Sequence, residues 1–89
     1  MARPPRSRTS AARSSPRLKA ALRRLGQRVK QLRAQAELTQ EELAEASGVS
    51  LKHVQAIEYG LETGNPTLAT LVGLAHGFGV TVSELLEGV

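Results

Sequence analysis

Eighty-nine residues (9.5 kDa) accommodate one small domain and exclude a two-domain enzyme with its active site in an interdomain cleft. Apolar residues are 40% of the chain, only one Tyr and one Phe add aromatic bulk, and the absence of cysteine excludes a disulfide framework, a thiolate zinc site and a thiol nucleophile. No apolar run nears the roughly 20 residues that span a bilayer, no apolar h-region marks a secretory signal, and a formal net charge of +4 with a pI near 10.4 indicates a small, basic, soluble domain expected in the cytoplasm.

The chain opens with MARPPRSRTSAARSS, which offers almost nothing to bury, so residues 1–15 are expected to form a disordered basic arm ahead of a domain over 16–89. The charge is segregated. Residues 1–33 carry eleven basic side chains and no acidic one, whereas residues 34–89 carry Lys52 against eight glutamates. A block this basic points to phosphate, on nucleic acid or on a membrane surface. Arg3, Arg6, Arg8 and Arg13 of the arm, with Arg28 beyond it, are the candidate phosphate contacts. Mitochondrial transit peptides share the Arg- and Ser-rich, acid-free composition, but two prolines and poor amphipathicity argue against one.

Ser15-Pro16 has the form of a helix start, with Ser as N-cap and Pro at the first helical position. Leu18, Leu22, Leu25, Val29, Leu32 and Ala36 follow at steps of four and three, an apolar stripe on one helix face. Gly26 interrupts the run, so the pattern supports a helix over 25–36 and leaves its unbroken extension to residue 16 open. The basic residues between the apolar ones read first as a solvated face. The stripe also fits a coiled-coil seam, but it is under three heptads long, which favours packing onto the domain.

Thr39-Gln-Glu-Glu42 is a capping box, and the helix it starts, with Leu43 and Ala44 inward, should end before Gly48. Ser50 opens the next helix, with Val54 and Ile57 on its buried side, and Gly60 stops it. Residues 61–66 read as loop. Thr67 caps a fourth helix whose apolar set is Leu68, Leu71, Val72, Leu74, Ala75 and Phe78, with Gly77 and Gly79 as its terminators. Thr81-Val-Ser-Glu84 is a second capping box, opening a short fifth helix with Leu85 and Leu86 on its apolar side. No segment alternates with period two over a strand's length, which makes the fold all-α.

The second and third helices have the spacing of a helix-turn-helix unit over about 39–59. Gln40, Leu43, Ala44, Gly48, Val49, Val54 and Ile57 fall at positions 1, 4, 5, 9, 10, 15 and 18 of a twenty-residue window. Ala44 is small where the second helix is crossed, and Gly48 makes the turn. Leu43, Val54 and Ile57 lock the angle, leaving the outer face of 50–59 free for a major groove.

On these residues the chain resembles the Cro/repressor-type (XRE) helix-turn-helix family of phage repressors, bacterial regulators, controller proteins and antitoxins. The resemblance runs through LGQRVKQLR (25–33), LTQEELA (38–44), GVS (48–50), IEYG (57–60), NPTL (65–68) to Leu71, Leu74-Ala75, FGV (78–80) and Leu85-Leu86. It implies a compact five-helix, lambda-repressor-like domain that binds double-stranded DNA, usually as a homodimer on a near-palindromic operator. It further implies that Gln40 grips a phosphate, that Ser50 caps the recognition helix and also touches the backbone, and that Leu51, Lys52 and Ala56 stand at base-reading positions, with His53 and Gln55 alongside. Tyr59 falls where a polar group meets phosphate, and Arg33 and Glu58 match a buried ion pair whose role is structural. The chain departs from the family pattern at Leu51 and Ala56, where relatives carry hydrogen-bonding side chains. It departs again after Gly60, where a longer loop puts Leu61 and Glu62 in place of a basic phosphate ligand.

Two functions are therefore in view: a homodimeric transcriptional regulator, and an antitoxin or adaptor module that binds a protein partner such as a toxin and reads DNA weakly. The fourth and fifth helices, with Leu86 and Val89 as surplus apolar residues, are the expected dimer surface. No enzyme, cofactor, metal or membrane partner is expected: Asp and Cys are absent, and His53 and His76 lie on separate helices with no matching nucleophile or ligand cluster.

Overall fold

The computed structural model describes residues 15–89. The expected disordered arm, Ser15 aside, lies outside the described residues. Five α-helices follow in order: α1 (Pro16–Gln35), α2 (Gln40–Ser47), α3 (Leu51–Glu58), α4 (Leu68–Phe78) and α5 (Val82–Leu85). The described residues contain no strand, so the fold is all-α as the periodicity indicates.

Each α-helix starts on a hydroxyl. Ser15, Thr39, Ser50, Thr67 and Thr81 all accept a hydrogen bond from the backbone N–H three residues on, satisfying a donor the helix cannot. Both expected capping boxes are closed. Glu42 N–H donates to Thr39 Oγ1 at 3.0 Å and Thr39 N–H to Glu42 Oε1 at 2.9 Å, and Thr81 and Glu84 repeat the exchange at 3.0 and 2.8 Å.

α1 is a single helix that passes through Gly26 without a break. The reason is tertiary. A Cβ on Gly26 would stand 2.6 Å from the carbonyl oxygen of Ile57 and 2.8 Å from that of Glu58. Glycine at this point lets α1 lie directly on the end of α3, and that contact outweighs the roughly 1 kcal/mol of helix propensity that glycine gives up against alanine.

Leu25, Val29, Leu43, Val54, Ile57, Leu74, Ala75 and Leu85 form one buried cluster to which all five helices contribute. Burying each of the larger side chains is worth about 1.5–3 kcal/mol. α2 packs chiefly on α4, α1 on α3, and α5 on α4.

Three local readings need correction. Residues 62–64, read as plain loop, form a 3₁₀ turn whose Gly64 is buried against α3. Gly77 does not terminate α4, which runs to Phe78 and ends on Gly79; with Gly73 it instead faces Ser47, where a Cβ would meet that residue at 3.2 Å and 2.5 Å respectively. Leu68 and Val72 are exposed, at 69% and 51%, although counted in the apolar set of α4. That helix is apolar nearly all round, so its sequence alone does not say which stripe faces inward.

Candidate nucleic-acid interface

α3 is presented by the turn before it and the core beneath it. Gly48 has φ +70°, the left-handed region that glycine enters without steric cost, and Val49 N–H closes the turn on the Ala44 carbonyl at 3.2 Å. Val54, Ile57 and Glu58 are then buried on the inner side of α3, while Lys52 and Tyr59 are exposed. Leu51, His53, Gln55 and Ala56 are half-buried around the outer face. Ser50 Oγ accepts from His53 N–H at 3.1 Å, so the cap is formed and the hydroxyl remains exposed.

Beneath this face lies a polar cluster. Arg33 holds Glu58 in a two-pronged ion pair, Nε to Oε2 at 2.7 Å and Nη2 to Oε1 at 3.1 Å, and a third guanidinium N–H reaches the Leu38 carbonyl at 2.9 Å. The Glu58 side chain is only 1% exposed, against 25% for Arg33. The hydrogen bond to Glu58 is the main cause that raises the Arg33 guanidinium above its ordinary value. Gln40 joins the cluster by donating from Nε2 to Glu58 Oε1 at 3.0 Å. Its side chain is thereby fixed at the start of α2, with its carbonyl end and second amide hydrogen unengaged by this bond. Among the described residues, no buried side-chain nitrogen or oxygen lacks a partner.

A cleft of about 320 Å³ flanks α3, lined by Ser50, Lys52, His53 and Ala56 on one side and by Thr63 and Asn65 on the other. Thr63 and Asn65 escaped the sequence reading because only the 3₁₀ turn folds the loop back onto the helix. His53 also lines a second depression beside the 47–50 turn and the first turn of α4, which puts it on the flank of α3. Leu61 and Glu62, both exposed, begin a loop with no basic side chain between residues 60 and 67.

Arg28, expected as a phosphate contact, is engaged within the chain. Its guanidinium donates to the Glu84 carbonyl at 2.7 Å and the Leu85 carbonyl at 3.3 Å, capping α5 with a charge of the favourable sign. Arg24, one turn earlier, donates to the Val89 carbonyl at 3.1 Å. Leu86 and Val89, expected as apolar surplus, are half-buried against the core instead. The exposed apolar pair on α4 is Leu68 and Val72. Arg3, Arg6, Arg8 and Arg13 lie outside the described residues. Among the described residues, no group of His and Glu side chains could hold a metal ion, and no helix is long and apolar enough to cross a membrane.

The sequence is similar to those of known proteins. The helix-turn-helix family matches residues 29–85, which include α2, α3, α4 and α5 whole. The HTH-type transcriptional regulator DdrOP3 of Deinococcus deserti is 38% identical over 66 residues, 74% of this chain and 50% of that protein. The immunity repressor protein of Bacillus phage phi105 is 37% identical over 62 residues, 70% of this chain and 42% of its own length. An uncharacterized HTH-type transcriptional regulator of Sinorhizobium fredii, y4dJ, is 39% identical over 62 residues, 70% of this chain and 78% of that protein. The chain thus spans about half the length of the first two. No solved structure matches. With the helix-turn-helix geometry, the matched span and these relatives in agreement, the chain belongs to the Cro/repressor-type (XRE) helix-turn-helix family of DNA-binding transcriptional regulators.

Proposed function

We propose that the chain is a sequence-specific, double-stranded DNA-binding regulator that acts as a homodimer on a near-palindromic operator, with α3 in the major groove and the basic arm on backbone or minor groove. The observation that carries this reading is the outer face of α3, held rigid by a buried Arg33–Glu58 pair and left open to solvent at Lys52 and Tyr59. Lys52 suits guanine O6/N7 and Gln55 suits adenine, while Leu51 and Ala56 suit thymine methyl groups. Gln40, Ser50 and Tyr59 are the backbone ligands, with Arg3, Arg6, Arg8 and Arg13 reaching further along the strand. His53 supports the groove wall from the flank. The second copy docks through Leu68 and Val72, one turn apart on α4, and the two α3 helices then meet half-sites about one DNA turn apart.

Electrophoretic shift against the DNA upstream of the chain's own gene tests the reading. A discrete shift that survives excess random duplex is expected, and Lys52→Ala should cost the specific complex ~1–3 kcal/mol. Absence of any specific complex at moderate salt contradicts it. For the dimer, sedimentation at DNA-saturating concentration should report two chains, and Leu68→Lys with Val72→Lys should report one.

A further inference from the structure

α1 sorts its cations by face. Arg24 and Arg28 are taken by the carbonyls of Val89, Glu84 and Leu85, and Arg33 is taken by Glu58. Lys19, Arg23 and Lys30 are exposed, and among the described residues no hydrogen bond or ion pair engages their side chains. With Gln27 they follow at steps of four, four and three, which places them on a single stripe. At 1.5 Å per residue the stripe is about 16 Å long, the axial rise of roughly five nucleotides of one strand.

That stripe has an opposite wall. Arg23, Gln27 and Lys30 line one side of a cleft of about 200 Å³, and Glu58, Tyr59 and Gly60, at the C-terminal end of α3, line the other. The two walls are in backbone contact at the base, since a Cβ on Gly60 would lie 3.3 Å from the Arg23 Cα. Glu58 is the only acid in the lining, and Arg33 and Gln40 already hold it. The cleft is therefore cationic, several times the ~30 Å³ share of a water molecule, and rimmed by Tyr59, 66% exposed.

The geometry points to this cleft as a second DNA-backbone seat. Arg23 and Lys30 are its charged phosphate ligands, Gln27 and the Tyr59 hydroxyl its neutral donors, and Lys19 extends it along the strand. The occupant is a strand of the duplex rather than a free anion, because Tyr59 continues the outer face of α3 and the loop after Gly60, where a cation would otherwise meet that strand, offers Glu62 instead. The inference rests on α3 being the major-groove helix.

Salt dependence tests it on the full chain, with a duplex of random sequence, because phosphate contacts are indifferent to sequence. Between about 50 and 200 mM salt, each lost contact lowers the slope of log affinity against log salt by ~0.9. Arg23→Gln with Lys30→Gln should lower it by ~1.8, while Arg23→Lys keeps the wild-type slope. Tyr59→Phe should weaken binding about fivefold without changing the slope, because the lost donor is neutral. Arg17→Gln, on another face of α1, should match wild type. Added inorganic phosphate at constant ionic strength should displace no more DNA than chloride does. Normal wild-type binding with an unchanged slope in the double variant overturns the seat alone, as does an equal loss in Arg17→Gln. Failure of the wild type to bind any duplex overturns the major-groove reading and the seat with it.

Discussion

Glu58 and Arg33 are not equal partners. Glu58 is buried and carries three hydrogen bonds, from two Arg33 nitrogens and from Gln40, whereas a quarter of the Arg33 side chain meets solvent. Removing Arg33 strands a carboxylate in the interior, and removing Glu58 leaves a guanidinium that can turn outward. Arg33→Ala should therefore cost ~3–5 kcal/mol and Glu58→Gln distinctly less; thermal unfolding of the two variants checks the order, and equal losses would contradict it. A second residue-scale prediction concerns Glu37, which has φ +57° in the turn after α1. Side chains strain the backbone there by about 1–2 kcal/mol, so Glu37→Gly should raise stability by up to ~1 kcal/mol once the extra freedom of the unfolded glycine is deducted. Chemical denaturation with an unchanged m-value would measure it.

At the scale of elements, caps and packing answer to different information. The five hydroxyl caps were legible because a cap is written in four consecutive residues, and α3's outer face was legible because Val54 and Ile57 fix the inner one. Gly26, the 3₁₀ turn and the Gly73–Gly77 face were not. Each depends on another helix coming within contact of a backbone, and local propensity holds no record of that. Gly26→Ala makes the distinction measurable. Propensity alone predicts a gain of about 1 kcal/mol, but the added methyl would press on two backbone carbonyls, so a net loss of about 1–3 kcal/mol is expected. The capping boxes bear on pH. Hydrogen bonds from the Thr39 backbone and hydroxyl hold Glu42 below its ordinary carboxyl value of 4.5, and those of Thr81 do the same for Glu84, with Arg28 adding to the effect there. A lowered folded value means that each box stabilises above the unfolded pKa and is lost as pH falls through the folded one. Acid should thus loosen α2 and α5 below about pH 4.5. Replacing both glutamates by glutamine should flatten stability between pH 6 and pH 3, as read by circular dichroism melts.

Across the whole molecule, a small net charge conceals a division of labour. The helix-turn-helix half supplies shape and carries a single lysine, while the first third of the chain supplies the positive charge. The division itself was visible in the sequence. The sorting of α1's arginines was not, because Arg24 and Arg28 find carbonyls 65 and 56 or 57 residues away. With those two held by carbonyls, the proposed backbone cations beside Lys52 are Lys19, Arg23, Lys30 and the arm's Arg3, Arg6, Arg8 and Arg13. The most direct measurement is the salt slope of DNA affinity after deletion of residues 2–14, which keeps the Ser15 cap but removes Arg3, Arg6, Arg8 and Arg13. The slope should fall by up to ~3.6, on operator and random duplex alike, against ~0.9 at most for Lys52→Ala. A truncated chain that keeps the full-length slope would contradict the assignment of backbone affinity to the arm.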